Sequence, residues 1–98
     1  MSLHLKSFFA AVLLAAVSVV GFAQTKLTVR GKVTDPTGAP VAGASVIVVG
    51  TVNGTSADGD GNFTLTQVAP DAVLSASFIG YTSVEEAVSG RSVVNIIL

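Results

Sequence analysis

The stretch Gly31-Lys32-Val33-Thr34-Asp35-Pro36-Thr37-Gly38 joins an alternating strand to a tight turn, and the same grammar continues through Gly43-Ala44-Ser45-Val46-Ile47-Val48 and Asp58-Gly59-Asp60-Gly61-Asn62-Phe63. From Leu27 to Thr34, Leu27, Val29, Gly31 and Val33 alternate with Thr28, Arg30, Lys32 and Thr34. This period of two describes a half-buried strand. Asp35-Pro36-Thr37-Gly38 then places an acceptor side chain, a proline and a glycine at the first, second and fourth positions of a type I turn.

Working toward the carboxyl end, Ser45 to Val49 is a β-branched run expected to be central in its sheet or covered on both faces. Asn53-Gly54 is a two-residue hairpin signal, with Thr55 to Ala57 as the return strand. After the turn formers Asp58 to Asn62, Phe63 and Leu65 face one way and Thr64 and Thr66 the other, giving a fourth strand. Gln67 to Asp71 reads as a loop, because Pro70 lacks a ladder donor. Val73 to Ile79, Thr82 to Val88 and Val93 to Leu98 complete the pattern, with breaks at Gly80-Tyr81 and Ser89-Gly90. Seven short strands without helical periodicity predict an all-β fold, a seven-stranded antiparallel Greek-key sandwich.

Working toward the amino end, the composition changes. Lys6 precedes an uncharged apolar run from Phe8 to Val20, followed by Gly21-Phe22-Ala23 with small residues at its first and third places. This is the layout of a secretory signal peptide, with cleavage expected after Ala23. The run is too short for a membrane span, which takes about 20 apolar residues. The chain has no cysteine, so a lipid-anchored amino terminus is excluded. The expected division is residues 1–23 as signal peptide and residues 24–98 as one domain.

Removal of the leader also removes the one histidine, His4. Four basic residues (Lys26, Arg30, Lys32, Arg91) then face six acidic ones (Asp35, Asp58, Asp60, Asp71, Glu85, Glu86), a net charge of −2. That balance offers no basic stripe for nucleic acid and no cationic helix for a membrane surface. A domain this small buries only about 60% of its unfolded surface, so its stability is modest. Without disulfides its core must suffice, a composition that suits a bacterial periplasmic module better than a small eukaryotic extracellular one.

Chemistry is sparse. Nucleophilic catalysis needs an activating base, and after cleavage no histidine or cysteine remains, so no catalytic residue and no cofactor are expected. Lys26 and Lys32 read as solvated charges near or on the polar face of the first strand. Asp58, Asp60 and Asn62 copy the opening of a calcium loop, but the sixth and twelfth places hold Phe63 and Ala69 instead of glycine and glutamate. The stretch is therefore read as a turn, with these three residues only as candidate metal ligands. Adjacent Glu85 and Glu86 point to opposite sides of a strand and form no acid–base pair. Asn53-Gly54-Thr55 and Asn62-Phe63-Thr64 fit the glycosylation acceptor pattern but read as turn residues. Tyr81 is read as an edge residue with its hydroxyl in water, in preference to a sugar-stacking platform. The Thr55 to Ala57 segment lies next to a plausible sheet edge, where a partner strand can add.

Together, Val29-Arg30-Gly31-Lys32-Val33-Thr34-Asp35, Gly38, Pro40, Gly43-Ala44, Val46, Gly50-Thr51, Gly54-Thr55, Asp58, Asp60-Gly61-Asn62-Phe63 and Phe78-Ile79-Gly80-Tyr81 resemble the carboxypeptidase-regulatory-like domain, a transthyretin-like sandwich also grouped with carbohydrate-binding-like folds. The version resembled most stands at the amino terminus of SusC/RagA-type TonB-linked outer membrane receptors of Bacteroidetes, and the resemblance covers residues 27 to 98. Ala42 and Val49 depart from the proline and lysine of many relatives. The resemblance implies a non-catalytic periplasmic accessory module of an importer of glycans or peptides. Its implied partners are proteins: the TonB system and the receptor's plug and barrel. The alternative is a stand-alone secreted or cell-surface binding or adhesion sandwich.

Overall fold

The computed structural model describes residues 25–98. The signal peptide expected over residues 1–23 lies outside the described residues. The strands are β1 (Leu27–Thr34), β2 (Ser45–Val48), β3 (Gly54–Ser56), β4 (Asn62–Val68), β5 (Val73–Ser77), β6 (Val84–Ala87) and β7 (Ile96–Ile97). They form a three-stranded sheet in the order β4-β1-β7 and a four-stranded sheet in the order β3-β2-β5-β6. Seven strands in a two-sheet all-β sandwich are what the alternation predicts.

The period of two sets the core. In β1, Val29 and Val33 are buried while Arg30 and Lys32 are exposed. They meet Phe63, Leu65 and Val68 of β4, and across the sandwich Val46 of β2 with Leu74 and Ala76 of β5. Each fully buried valine or leucine contributes about 1.5–3 kcal/mol of hydrophobic stabilisation, and no disulfide adds to it. In β2 only Val46 and Val48 are buried, so the strand is central between β3 and β5 but covered on one face.

Three local expectations are corrected. First, β7 pairs with β1 in parallel, Val33 opposite Ile96 and Thr34 opposite Ile97, so the sandwich is not antiparallel throughout. A β-carbon on Gly31 would fall 1.7 Å from the Val94 carbonyl oxygen; glycine at this place lets that backbone group press against β1. The Asn95 Oδ1 instead accepts the Lys32 N–H, at 3.1 Å.

Second, β4 continues through Gln67, where a loop is expected. The register slips by one residue between Val29 opposite Leu65 and Leu27 opposite Val68. This is a β-bulge, with Gln67 at φ 56°, and it returns Val68 to the core face that simple alternation denies it.

Third, the β2–β3 hairpin turns before Asn53-Gly54. Gly50, at φ 79°, reverses the chain; the Thr51 N–H donates to the Val48 carbonyl at 3.1 Å and the Val48 N–H to that of Asn53 at 2.9 Å. Gly54 is already opposite Ile47 in the ladder. The Asn53 side chain crosses to the other sheet and donates to the Thr66 carbonyl at 2.8 Å. The last three strands are also shorter than expected, since turns or side-chain contacts take over at their ends.

Candidate functional site

The polar residues that drew interest in the sequence lie in turns and at a sheet edge. Asp58 heads a turn in which its Oδ1 accepts the N–H groups of Asp60 (2.9 Å) and Asn62 (3.0 Å). The Asp58 N–H donates to the Asn62 carbonyl (2.9 Å), and the Gly61 N–H to the Asp58 carbonyl (3.0 Å). Asp58, Asp60 and Asn62 are thus brought together by a backbone turn, with one Asp58 oxygen already engaged. Among the described residues, no group of three or more His, Cys, Asp or Glu side chains converges as metal ligands do.

Asp35 repeats the arrangement. Its Oδ1 accepts the N–H groups of Thr37 (2.9 Å) and Ala39 (3.0 Å), and in addition the Thr37 hydroxyl at 2.6 Å. That hydroxyl, foremost, holds the Asp35 carboxyl below its ordinary pKa. Desolvation opposes the shift, and the N–H groups of Ala39, Thr37 and Gly38 reinforce it.

Phe78 and Tyr81 flank a turn closed by the Tyr81 N–H donating to the Phe78 carbonyl at 3.1 Å. Their rings lie 6.5 Å apart at 44°, and Ile79 between them is almost fully exposed. With Gly43, Ser45, Ser77 and Ser83 they line a shallow concavity of about 480 Å³ that holds no charged side chain. A second one, of about 370 Å³, is bordered by Lys26, Asn53, Gln67 and their neighbours.

Glu85 and Glu86 diverge as the alternation predicts: Glu85 is exposed and Glu86 half-buried on the opposite face of β6. Arg91, which the sequence reading treats only as a charge, proves to be the residue that organises this edge. Its guanidinium pairs with Glu86 at 3.3 Å, donates from Nε to the Val88 carbonyl at 3.0 Å, and donates to the Ala87 carbonyl. No local motif announces it, because the contact depends on the turn at Ser89-Gly90 folding Arg91 back. No helix among the described residues is long and apolar enough to cross a membrane.

Two sheets around an apolar core, with polar side chains on the outer faces, in turns and at edges, define a small β-sandwich module. Residues 29–98 match the family described as the CarboxypepD_reg-like domain, and the chain belongs to that family. It is similar to the TonB-dependent receptor SusC of Bacteroides thetaiotaomicron, with 47% identity over 81 residues that cover 83% of this chain and 8% of that receptor. A TonB-dependent receptor of Formosa agariphila is 38% identical over 76 residues, covering 78% of this chain and 7% of its own length. The chain therefore spans less than a tenth of either curated relative. Among solved structures, a type II cohesin–X-dockerin complex from Acetivibrio cellulolyticus contains a similar chain, with a TM-score of 0.57 and 28% identity over 72% of this chain and 51% of that one.

Proposed function

We propose that this chain is a non-catalytic, periplasmic accessory module of a SusC/RagA-type TonB-dependent outer membrane receptor for glycan or peptide uptake. In this reading residues 1–23 direct export and residues 24–98 form the module. It acts through protein contacts with the TonB system and the receptor's plug and barrel, as a rigid spacer governing access to the plug. The observation that carries the reading is the 47% identity to SusC across 83% of the chain. The chemistry agrees: the sequence after the leader has no histidine or cysteine to activate a nucleophile.

The test is a replacement in the Bacteroides thetaiotaomicron receptor. The part of SusC that aligns with residues 29–98 is either deleted or exchanged for those residues, the receptor's own leader being kept, and uptake of that receptor's own nutrient is measured with receptor abundance held equal. Deletion is expected to impair uptake and the exchange to restore it. Undiminished uptake after deletion would sink the proposal.

A further inference from the structure

We infer that the free edge of β6 is a strand-addition site for an extended peptide segment carrying a basic residue, and that Arg91 is the stopper such a segment displaces. The inference rests on the reading of the chain as a protein-contact module and gives that module its contact surface.

The register determines which backbone groups β6 presents. The Val49 N–H donates to the Val73 carbonyl at 2.9 Å, so Val73, and by alternation Ser75, turn their main-chain groups toward β2. The Val88 N–H donates to the Ala72 carbonyl at 2.9 Å, so Ala72 and Leu74 turn toward β6. Glu86, opposite Leu74, is thereby bonded into the ladder. Glu85 and Ala87, opposite Ser75 and Val73, turn their N–H and C=O groups outward. Because β6 ends the sheet, no strand among the described residues meets them there.

Of those outward groups the Ala87 carbonyl is taken, by the Arg91 guanidinium that also pairs with Glu86. The Glu85 N–H and C=O and the Ala87 N–H remain, spaced two residues apart as a further strand requires.

Charge selects the occupant. Glu85 and Glu86 are the only charged residues in the strands of the four-stranded sheet. A segment with one lysine or arginine opposite Glu86 replaces the charge that Arg91 supplies and frees the Ala87 carbonyl for a ladder bond. The other edge, β3, spans only Gly54–Ser56 and carries no charge to select a partner. Among the described residues a second copy of this chain offers no suitable strand, since the basic residues on its strands, Arg30 and Lys32, lie on β1 in the middle of a sheet.

The 98-residue chain, expressed with its leader, recovered by export and isotope-labelled, is titrated with the synthetic peptide Thr-Val-Lys-Val-Thr and with its counterpart bearing a central glutamate. The lysine peptide is expected to shift the amide resonances of Glu85 and Ala87 and to slow their hydrogen exchange, and the glutamate peptide is not. Arg91→Ala is expected to tighten the lysine peptide about tenfold, as release of one charge-assisted hydrogen-bond acceptor implies. Arg91→Lys is expected to fall between, and Glu86→Gln to erase the preference for lysine, so the test survives if Arg91→Ala does not fold. Three results would overturn the inference: protection of both amides before peptide is added, equal binding of the two peptides, or self-association of Arg91→Ala through the same amides. If β6 fails in this way while uptake by the receptor exchange still needs the domain, the edge is wrong and the module stands.

Discussion

The turns headed by Asp35 and Asp58 share one hydrogen-bond skeleton and differ in what surrounds it. In both, the carboxylate accepts the N–H groups two and four residues on, and a glycine in the left-handed region, Gly38 at φ 88° or Gly61 at φ 80°, closes the turn. Among the described residues nothing lies within 4 Å of where a side chain on Gly38 would begin. At Gly61 the same point falls 2.6 Å from the Val33 carbonyl oxygen and 3.0 Å from Cβ of Pro40. Local sequence closes a turn, and packing against β1 and Pro40 decides whether that turn tolerates change.

The sharpest way to break the comparison is to add one methyl group to each turn. Gly61→Ala combines left-handed strain with overlap on backbone and is expected to lose ~3 kcal/mol or more, whereas Gly38→Ala bears the strain alone, about 1 kcal/mol. Urea unfolding of the two variants measures the difference, and equal losses would mean that the surroundings of Gly61 yield freely.

A smaller effect separates the carboxylates. Thr37 donates a hydroxyl to Asp35, whereas the corresponding residue in the other turn, Asp60, has no such proton when ionised. Thr37→Val is therefore expected to raise the Asp35 pKa toward its ordinary value, as followed by NMR titration of the carboxyl carbon. The folded-state pKa of Asp35 is depressed below the ordinary aspartate value, so the unfolded chain binds more protons as pH falls. The stability contributed by Asp35 is fully present above the unfolded pKa and is lost as pH falls through the depressed folded value. Thr37→Val should flatten the stability profile in that acid window; an unchanged profile would assign the shift to the backbone donors.

The smallest expected effect is that of calcium. Millimolar calcium is expected to leave the resonances of both turns and the melting temperature unchanged, because Asp58 directs one oxygen at its own backbone. Shifts confined to Asp58, Asp60 and Asn62 would turn the pair into one structural turn and one metal loop.

The same contrast explains how much was legible in the sequence. The alternation of Leu27 to Thr34 and the turn at Asp35 are short-range features, and both stand as read. Val68 was not legible, because Gln67 takes a left-handed conformation without being glycine and the bulge shifts the face of every residue beyond it. Asn53-Gly54 carries a genuine hairpin signal, yet the Gly50 turn is formed and the Asn53 amide is tied to β4, a partner 13 residues away. The parallel β7 was hidden for the same reason, since it depends on distant chain segments meeting in the finished fold; the Arg91 contacts are local, but they hang on Ser89, a residue other than glycine, taking a left-handed conformation at φ 50°. At the candidate site, the reading of Asp58 to Asn62 as turn residues needed only local rules, while the β6 edge needed the sheet order.

The parallel pairing of β1 with β7 also governs how the domain bears a load. Tension applied between Leu27 and Leu98 pulls β1 and β7 past one another along their length. The bonds from Arg30 to Ser92, Val94 to Arg30, Lys32 to Asn95 and Leu98 to Thr34 are then stretched together in shear, not peeled one at a time. A module clamped in this way extends little until the whole β1–β7 seam gives, and so transmits a pull instead of absorbing it.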